Sequence, residues 1–259
     1  MDLGIAGRKA IVCGSSGGLG RACAEALAEA GCEVVINGRN QEKLDATAKA
    51  MEARTKSKII AVVADVGTEA GRKALFAACP EPDILINNNS GPPVKDFRKL
   101  SHEDMIKGIE GNMLTAIEMT QAAIDAMVRR KFGRIVNITS GSVKMPLPGL
   151  DLSSGARAGL TAFLAGVARS VAEANVTINF MLPGTFDTDR LTSNLQVWAK
   201  NGGITVEEAR ANRTKTIPAR RFGEPAEFGA TCAFLCSVHA GYITGQNILM
   251  DGGAFPGAF

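Results

Sequence analysis

The sequence predicts a doubly wound α/β fold: a single domain on a parallel seven-stranded sheet flanked by helices on both faces. Three observations predict it. Short β-like apolar runs alternate with longer amphipathic helical runs along the whole chain, and a glycine-rich turn separates the first run from the first helix. The 259 residues, 46% hydrophobic and 21% charged, suffice for one large core, and no linker, low-complexity tract or short-period repeat divides them. Parallel neighbours need a crossover segment, which the intervening helices supply.

The first strand is Lys9–Cys13, and Leu19, Ala22, Cys23, Ala26, Leu27 and Ala30 then recur at three and four, predicting a helix over 18–31. Glu33–Asn37 is the second strand and 40–53 its helix; Lys58–Val63 and 68–78 repeat the unit, and Asp83–Asn87 is the fourth strand. In the second half, Ile106, Ile109, Met113, Ile117, Thr120, Ile124 and Met127 line one stripe of a helix over 101–130, followed by the strand Arg134–Ile138. Leu160, Phe163, Leu164, Val167 and Val171 mark a helix over 152–174 before the strand Thr177–Met181. A polar, irregular stretch over 185–219 carries the single tryptophan, Trp198; a connection of that length reads as a substrate-side lid with helices of its own, or as a surface insertion. A helix over 224–237 and the strand Gln246–Met250 complete one domain over 1–259.

Composition excludes several classes. A formal balance of +3 gives no reason to expect nucleic acid or an acidic membrane as partner. Six cysteines without a CxxC pair, joined only by His102 and His239, do not make a metal site or a disulfide framework. The first residues lack a basic start followed by an apolar run, and no run approaches a membrane span, so the chain reads as cytoplasmic.

The turn Gly14-Ser15-Ser16-Gly17-Gly18-Leu19-Gly20 places glycines where a backbone must bend sharply and admit a pyrophosphate to a helix N-terminus. The same residues match G-x-S-x-G, a nucleophile elbow with Ser16 as nucleophile and Asp187 and His239 as partners; that reading leaves Gly20 unexplained. At the end of the second strand, where an acid would hold the ribose hydroxyls of NAD, the chain has Asn37-Gly38-Arg39-Asn40. A guanidinium pairs with a 2′-phosphate that a carboxylate repels, which favours NADP(H) over NAD(H) unless Arg39 lies in solvent.

From Leu3 to Gly253 these residues resemble the short-chain dehydrogenase/reductase family. Gly14, Gly18 and Gly20 are spaced as in its T-G-x-x-x-G-x-G, with Cys13 in the threonine's place; Asp65-Val66 resembles its adenine-contacting pair, and Asn87-Asn88-Asn89-Ser90-Gly91 a variant of N-N-A-G. Asn112 matches its mid-helix asparagine, Pro183-Gly184 with Thr188 its P-G-x-x-x-T, and Arg221-Phe222-Gly223-Glu224-Pro225, Tyr242-Ile243-Thr244-Gly245-Gln246 and Asp251-Gly252-Gly253 its ending. The resemblance implies a Rossmann-type fold, with a cofactor held by Gly14, Ser15, Ser16, Gly18, Leu19, Gly20, Arg39, Asn40, Asp65, Val66, Asn88, Arg157, Pro183, Gly184 and Thr188. Asp65, Asn87, Asn88 and Pro183-Gly184 also read simply as turn and strand-end residues.

Family members reduce a carbonyl with hydride from nicotinamide, a Tyr-x-x-x-Lys pair and a serine 13 residues before the tyrosine. Here Ser140 stands in the serine's position, and the register leads to Ser153 and Arg157 where the tyrosine and lysine are expected. The single tyrosine, Tyr242, falls near the C-terminal edge, where it reads as a packing or subunit-contact residue. The resemblance implies a catalytic set of Ser140, Ser153, Arg157 and Asn112, with Arg157 clamping the cofactor ribose. A serine hydroxyl is a poorer acid than a phenol and shorter by a ring, so its proton would pass through water; Lys144 and Asp151 are the nearby substitutes, or merely exposed loop charges.

The function these features imply is an NADP(H)-dependent oxidoreductase acting on a carbonyl or secondary alcohol, a small molecule, with no metal. The other class is a nucleotide-binding scaffold or sensor of the same fold with little catalysis. The two long helices resemble those through which family members form homodimers and homotetramers. Phe186, Leu191, Leu195 and Trp198 either face a partly apolar substrate or pack the lid down.

Overall fold

The computed structural model describes residues 1–92 and 94–257. Its strands are β1 (Lys9–Val12), β2 (Glu33–Gly38), β3 (Ile59–Val63), β4 (Ile84–Asn87), β5 (Gly133–Ile138), β6 (Val176–Pro183) and β7 (Asn247–Met250). They pair in parallel in the order β3-β2-β1-β4-β5-β6-β7, the seven-stranded doubly wound sheet that the alternation predicted. Ile11 on β1 lies beside Val35 on β2 and Leu85 on β4, so the direction of winding reverses between β1 and β4.

Helices α1 (Gly18–Glu29), α2 (Gln41–Arg54) and α9 (Pro225–Cys236) cover one face, and α3 (Glu69–Ala78), α5 (Thr115–Arg130) and α6 (Asp151–Val171) the other. Successive strand residues point to opposite faces, so Ala10 and Val12 enter the first core layer while Ile11 and Cys13 enter the second. Burial on both faces explains why the strands read as continuous apolar runs rather than as alternating ones. All six cysteines are buried and free.

The helix expected over 101–130 is not continuous. A capping box of Ser101 and Asp104 starts α4 (His102–Ile109), a π-helical turn spans Glu110–Leu114, and α5 follows. The wider turn shifts the helical face, so the predicted stripe does not stay on one side. Ile117, Thr120 and Met127 are buried, whereas Ile106 and Ile109 are 42% and 37% exposed.

The stretch over 185–219 is largely helical: α7 (Asp189–Gly202) is capped by Thr188, and α8 (Val206–Lys215) by a Thr205–Glu208 capping box. Phe186 meets Phe228 edge-on at 5.2 Å, and Leu191 and Leu195 form a small separate core with Ile217 and Phe222. Three of the four apolar residues considered for substrate contact therefore pack this segment down; only Trp198 remains substantially exposed.

Candidate active site

The carboxyl ends of the central strands open on a groove of about 410 Å³ at the reversal point, the place where doubly wound sheets bind ligands. It runs from the Gly14–Leu19 turn past Asp65, Val66 and Asn88 to Pro183, Thr188 and Arg157.

The turn is shaped for an anion. Gly17 precedes α1 without a side-chain cap, so the first N–H groups of the helix lack an internal acceptor and face the groove. Gly14 and Gly18 have φ of +56° and +57°, and a Cβ on Gly20 would lie 2.3 Å from the Gly14 carbonyl oxygen. Gly20 thus serves the close packing of helix on strand rather than ligand contact. Thr188 at the start of α7 faces Gly18 across the opening, with its Cγ2 4.0 Å from where a Cβ on that glycine would sit.

Ser15 departs from expectation. Its Oγ donates to the Val12 carbonyl at 2.6 Å and accepts from the Asn37 N–H at 2.8 Å, which ties β1 to β2 and turns the hydroxyl away from the groove. Asn40 also serves the fold, since its side chain caps α2 by accepting from the Lys43 N–H at 2.8 Å. Gly184 packs against the end of β7, where a Cβ would come within 2.7 Å of Asp251 Cα. Ser16 and Leu19 do line the groove.

At the far end of the turn, Arg39 is exposed and lies 3.8 Å from Asp65, both at the groove wall. Lys43, which the sequence reading passed over, reaches Asp189 at 3.1 Å and bridges the starts of α2 and α7 over Gly17. Its signal was present: it lies four residues after Arg39, in the first turn of α2. Arg39, Lys43 and the open helix end are groups that a phosphate-bearing nucleotide can engage, the two side chains by exchanging Asp65 and Asp189 for phosphate.

At the other end, α6 brings Ser153 and Arg157 to the end of β5. Arg157 is 8% exposed and fully engaged on one edge: Nη1 donates to the carbonyls of Ile138 at 2.8 Å and Thr139 at 3.1 Å, and Nε donates to Ser153 Oγ at 3.2 Å. Burial, and to a lesser degree the Arg190 charge, pull its pKa down to about 10, so it stays cationic at neutral pH. Ser140 directly follows Thr139, and its Oγ accepts from the Ser142 N–H at 3.1 Å.

Asn112 lies inside the π-helical turn, with Nδ2 donating to the Gly108 carbonyl at 3.1 Å and Oδ1 buried without a protein partner. That side chain, Asn87, Asn89 and Arg157 line a cavity of about 20 Å³, room for one ordered water. Asn89, part of the asparagine motif but given no role of its own in the sequence, ties this turn to the segment after β4 through a 3.1 Å bond from Nδ2 to the Gly111 carbonyl.

Other candidates are not assembled. Lys144 Nζ lies 5.8 Å from the Phe255 ring and Asp151 is exposed in the first turn of α6; neither bonds to Ser140, Ser153 or Arg157 among the described residues. The nucleophile-elbow reading fails on geometry: Asp187 is paired with Arg210, and His239 Nε2 bonds to the Asp2 carbonyl at 2.8 Å. Tyr242 is fully exposed, and it does not line the groove. Among the described residues no group of His, Cys, Asp and Glu is arranged to hold a metal, and no helix is long and apolar enough to cross a membrane.

Residues 14–254 match the sequence model of a family described as enoyl-(acyl carrier protein) reductase. The chain is 33% identical to the 3-oxoacyl-[acyl-carrier-protein] reductase FabG of Aquifex aeolicus, over 98% of this chain and 100% of that protein. It is 31% identical to the NADPH-dependent reductase BacG of Bacillus subtilis, over 95% of this chain and 97% of that protein. Among solved structures it superimposes on L-sorbose reductase from Gluconobacter frateurii, complexed with NADPH and L-sorbose, with a TM-score of 0.94 at 26% identity, covering 99% and 100% of the two chains. Similarity that extends along the whole length, in sequence and in fold, leaves one conclusion: the chain belongs to the short-chain dehydrogenase/reductase family.

Proposed function

We propose that this protein is an NADP(H)-dependent oxidoreductase that interconverts a carbonyl and a secondary alcohol, with Ser153 and Arg157 where the family's tyrosine and lysine stand. The observation that carries this reading is the seat of Arg157, a buried cation at the end of β5 bonded to Ser153 and bordering the nucleotide groove. The groove fits the cofactor: its uncapped helix end suits a pyrophosphate, and Arg39 with Lys43 suits a 2′-phosphate. When bound, the nicotinamide supplies or accepts a hydride at the substrate carbon.

The chain's own residues polarise the substrate oxygen and manage its proton. Because Arg157 Nε donates to Ser153 Oγ, the serine hydrogen is free to point outward toward that oxygen. The buried guanidinium stabilises negative charge developing there, where a low dielectric strengthens it. Ser140 is the second hydroxyl of this end, and the small cavity between Asn112 and Arg157 fits a water through which the proton reaches solvent. The resemblance implies that Arg157 clamps the cofactor ribose; with Nη1 and Nε engaged, only Nη2 is left for that role or for the substrate.

We read residues 1–259 as one domain and 185–219 as its substrate-side cover. Met105, Ile106, Ile109, Leu114 and Phe163, exposed on α4 to α6, support assembly into homodimers or homotetramers through these helices. A nucleotide-binding scaffold with little catalysis is the rival reading, favoured by the removal of the one phenol to the surface. Turnover of NADPH against ketones, aldehydes and sugars, and of NADP⁺ against secondary alcohols, tests the two. Oxidation of NADPH that is lost in Arg157→Ala supports the oxidoreductase; NADPH binding without turnover of any carbonyl supports the scaffold.

A further inference from the structure

Arg157 on α6 and Arg190 in the first turn of α7 converge on one small space above Gly91. A Cβ on Gly91 would lie 3.7 Å from Arg157 Nη2, 3.8 Å from Arg190 Nη2 and 3.8 Å from Ser153 Oγ. Glycine leaves that point open, and three hydrogen-bonding groups surround it.

Among the described residues neither cation has a carboxylate to neutralise it. The acids beside Arg190 in the chain are drawn elsewhere, Asp189 to Lys43 at 3.1 Å and Asp187 to Arg210. Among the described residues no salt bridge includes Arg157 or Arg190. Arg157 has five N–H donors, of which Nη1 and Nε engage three acceptors, while Nη2 has only the Asn89 carbonyl at 3.5 Å. The nitrogen left with a spare donor is the one that faces the space above Gly91. Two like charges held together without a counter-ion repel, and an anion between them removes that cost.

We propose that this space binds the carboxylate of the substrate, and that the carbonyl compound is a 2-oxo acid. The inference rests on the oxidoreductase reading for its reaction, but the anion site stands on its own geometry. In a 2-oxo acid the carboxylate is attached directly to the reacting carbon, so the carbonyl oxygen falls to Ser153 while the carboxylate falls to Arg157 and Arg190. Arg157 and Arg190 line the same groove as the α1 end, Arg39 and Lys43, and those three groups are there to take the phosphates of the cofactor. Beyond Gly91, the exposed side chains of Val94, Met145 and Leu147 lie on two loops joined by the Lys95 N–H to Gly149 carbonyl bond at 3.0 Å, and offer apolar surface to the rest of the acid. The 2-oxo carbon would gain a hydride from NADPH and its oxygen a proton from solvent, giving the 2-hydroxy acid and NADP⁺.

Calorimetric titration of the NADP⁺ complex with 2-oxooctanoate and with its methyl ester tests the site, on the wild type and on Arg190→Gln. Arg190 is exposed, so this variant keeps the fold. The acid is expected to bind at least tenfold more tightly than the ester, and Arg190→Gln to remove most of that difference. Equal binding of acid and ester, or no binding of either, overturns the proposal. So does a loss of NADPH affinity in Arg190→Gln as large as the loss for the acid, since the arginine would then serve the cofactor. NADPH oxidation is measured alongside: tight acid binding without oxidation supports the anion site and sinks the oxidoreductase reading, whereas oxidation that prefers the ester does the reverse.

Discussion

Arg157 Nε donates to Ser153 Oγ at 3.2 Å, one turn away on α6, and its Nη1 is held by the carbonyls of Ile138 and Thr139. The hydroxyl is therefore oriented by a cation that is itself locked to the sheet. If the two act as a unit, their replacements are not additive. Ser153→Ala is expected to lower kcat about 10²-fold with NADPH affinity unchanged, consistent with the loss of a positioned proton donor. Arg157→Met should lose at least as much, and Ser153→Ala/Arg157→Met no more than Arg157→Met alone. A double-mutant cycle on kcat/KM checks this, and full additivity would show that the bond carries no catalytic coupling.

Arg39 lies 3.8 Å from Asp65 with both side chains exposed, so it can leave the carboxylate for a phosphate at little cost. Arg39→Asp is expected to weaken NADPH binding about 10- to 100-fold, the worth of a hydrogen bond to a charged group, and to tighten NADH binding. Fluorescence titration with both nucleotides gives the ratio. An unchanged ratio would mean that the selectivity resides elsewhere, with Lys43 the next residue to test.

Gly20 and Gly18 should respond differently to alanine. A Cβ on Gly20 would sit 2.3 Å from the backbone oxygen of Gly14, which cannot move without opening the turn. Gly20→Ala is expected to destabilise the protein by about 1–3 kcal/mol and to abolish NADPH binding. At Gly18 nothing is nearer than Thr188 Cγ2 at 4.0 Å, so Gly18→Ala bears only the left-handed strain at φ +57°, about 1–2 kcal/mol. Chemical denaturation of both variants compares them.

Glu227 anchors the start of α9, taking two 2.7 Å bonds from Arg221 and one of 2.8 Å from the Glu224 N–H. These donors pull its carboxyl down to about 2 from its ordinary 4.5. The folded state thus holds the proton less tightly than the unfolded state, so the contribution is complete above pH 4.5 and is lost as the pH falls toward 2. Glu227→Gln is expected to lower Tm by about 2–4 °C at pH 7, with the two melting curves converging over that window. A constant difference down to pH 2 would assign the effect to packing.

The order of strands, the glycine turn, Arg39, and the spacing that puts Ser153 one turn from Arg157 were all legible in the sequence. Each depends on residues close in the chain, where periodicity and spacing record which atoms are neighbours. Ser15 shows the limit: spacing placed it at the phosphate turn, but the strand ends compete for its hydroxyl and win. Ile106 and Ile109 show another, since periodicity identifies a face without saying what covers it, and one π-helical turn moves that face off the sheet. Tertiary structure alone brought Lys43 to Asp189, 146 residues apart, and set Arg157 and Arg190 around Gly91 with neither in a salt bridge among the described residues. Charges carry no mark in the sequence of which other charges they will meet; that is decided when distant segments pack, and here the packing leaves two cations facing one open space.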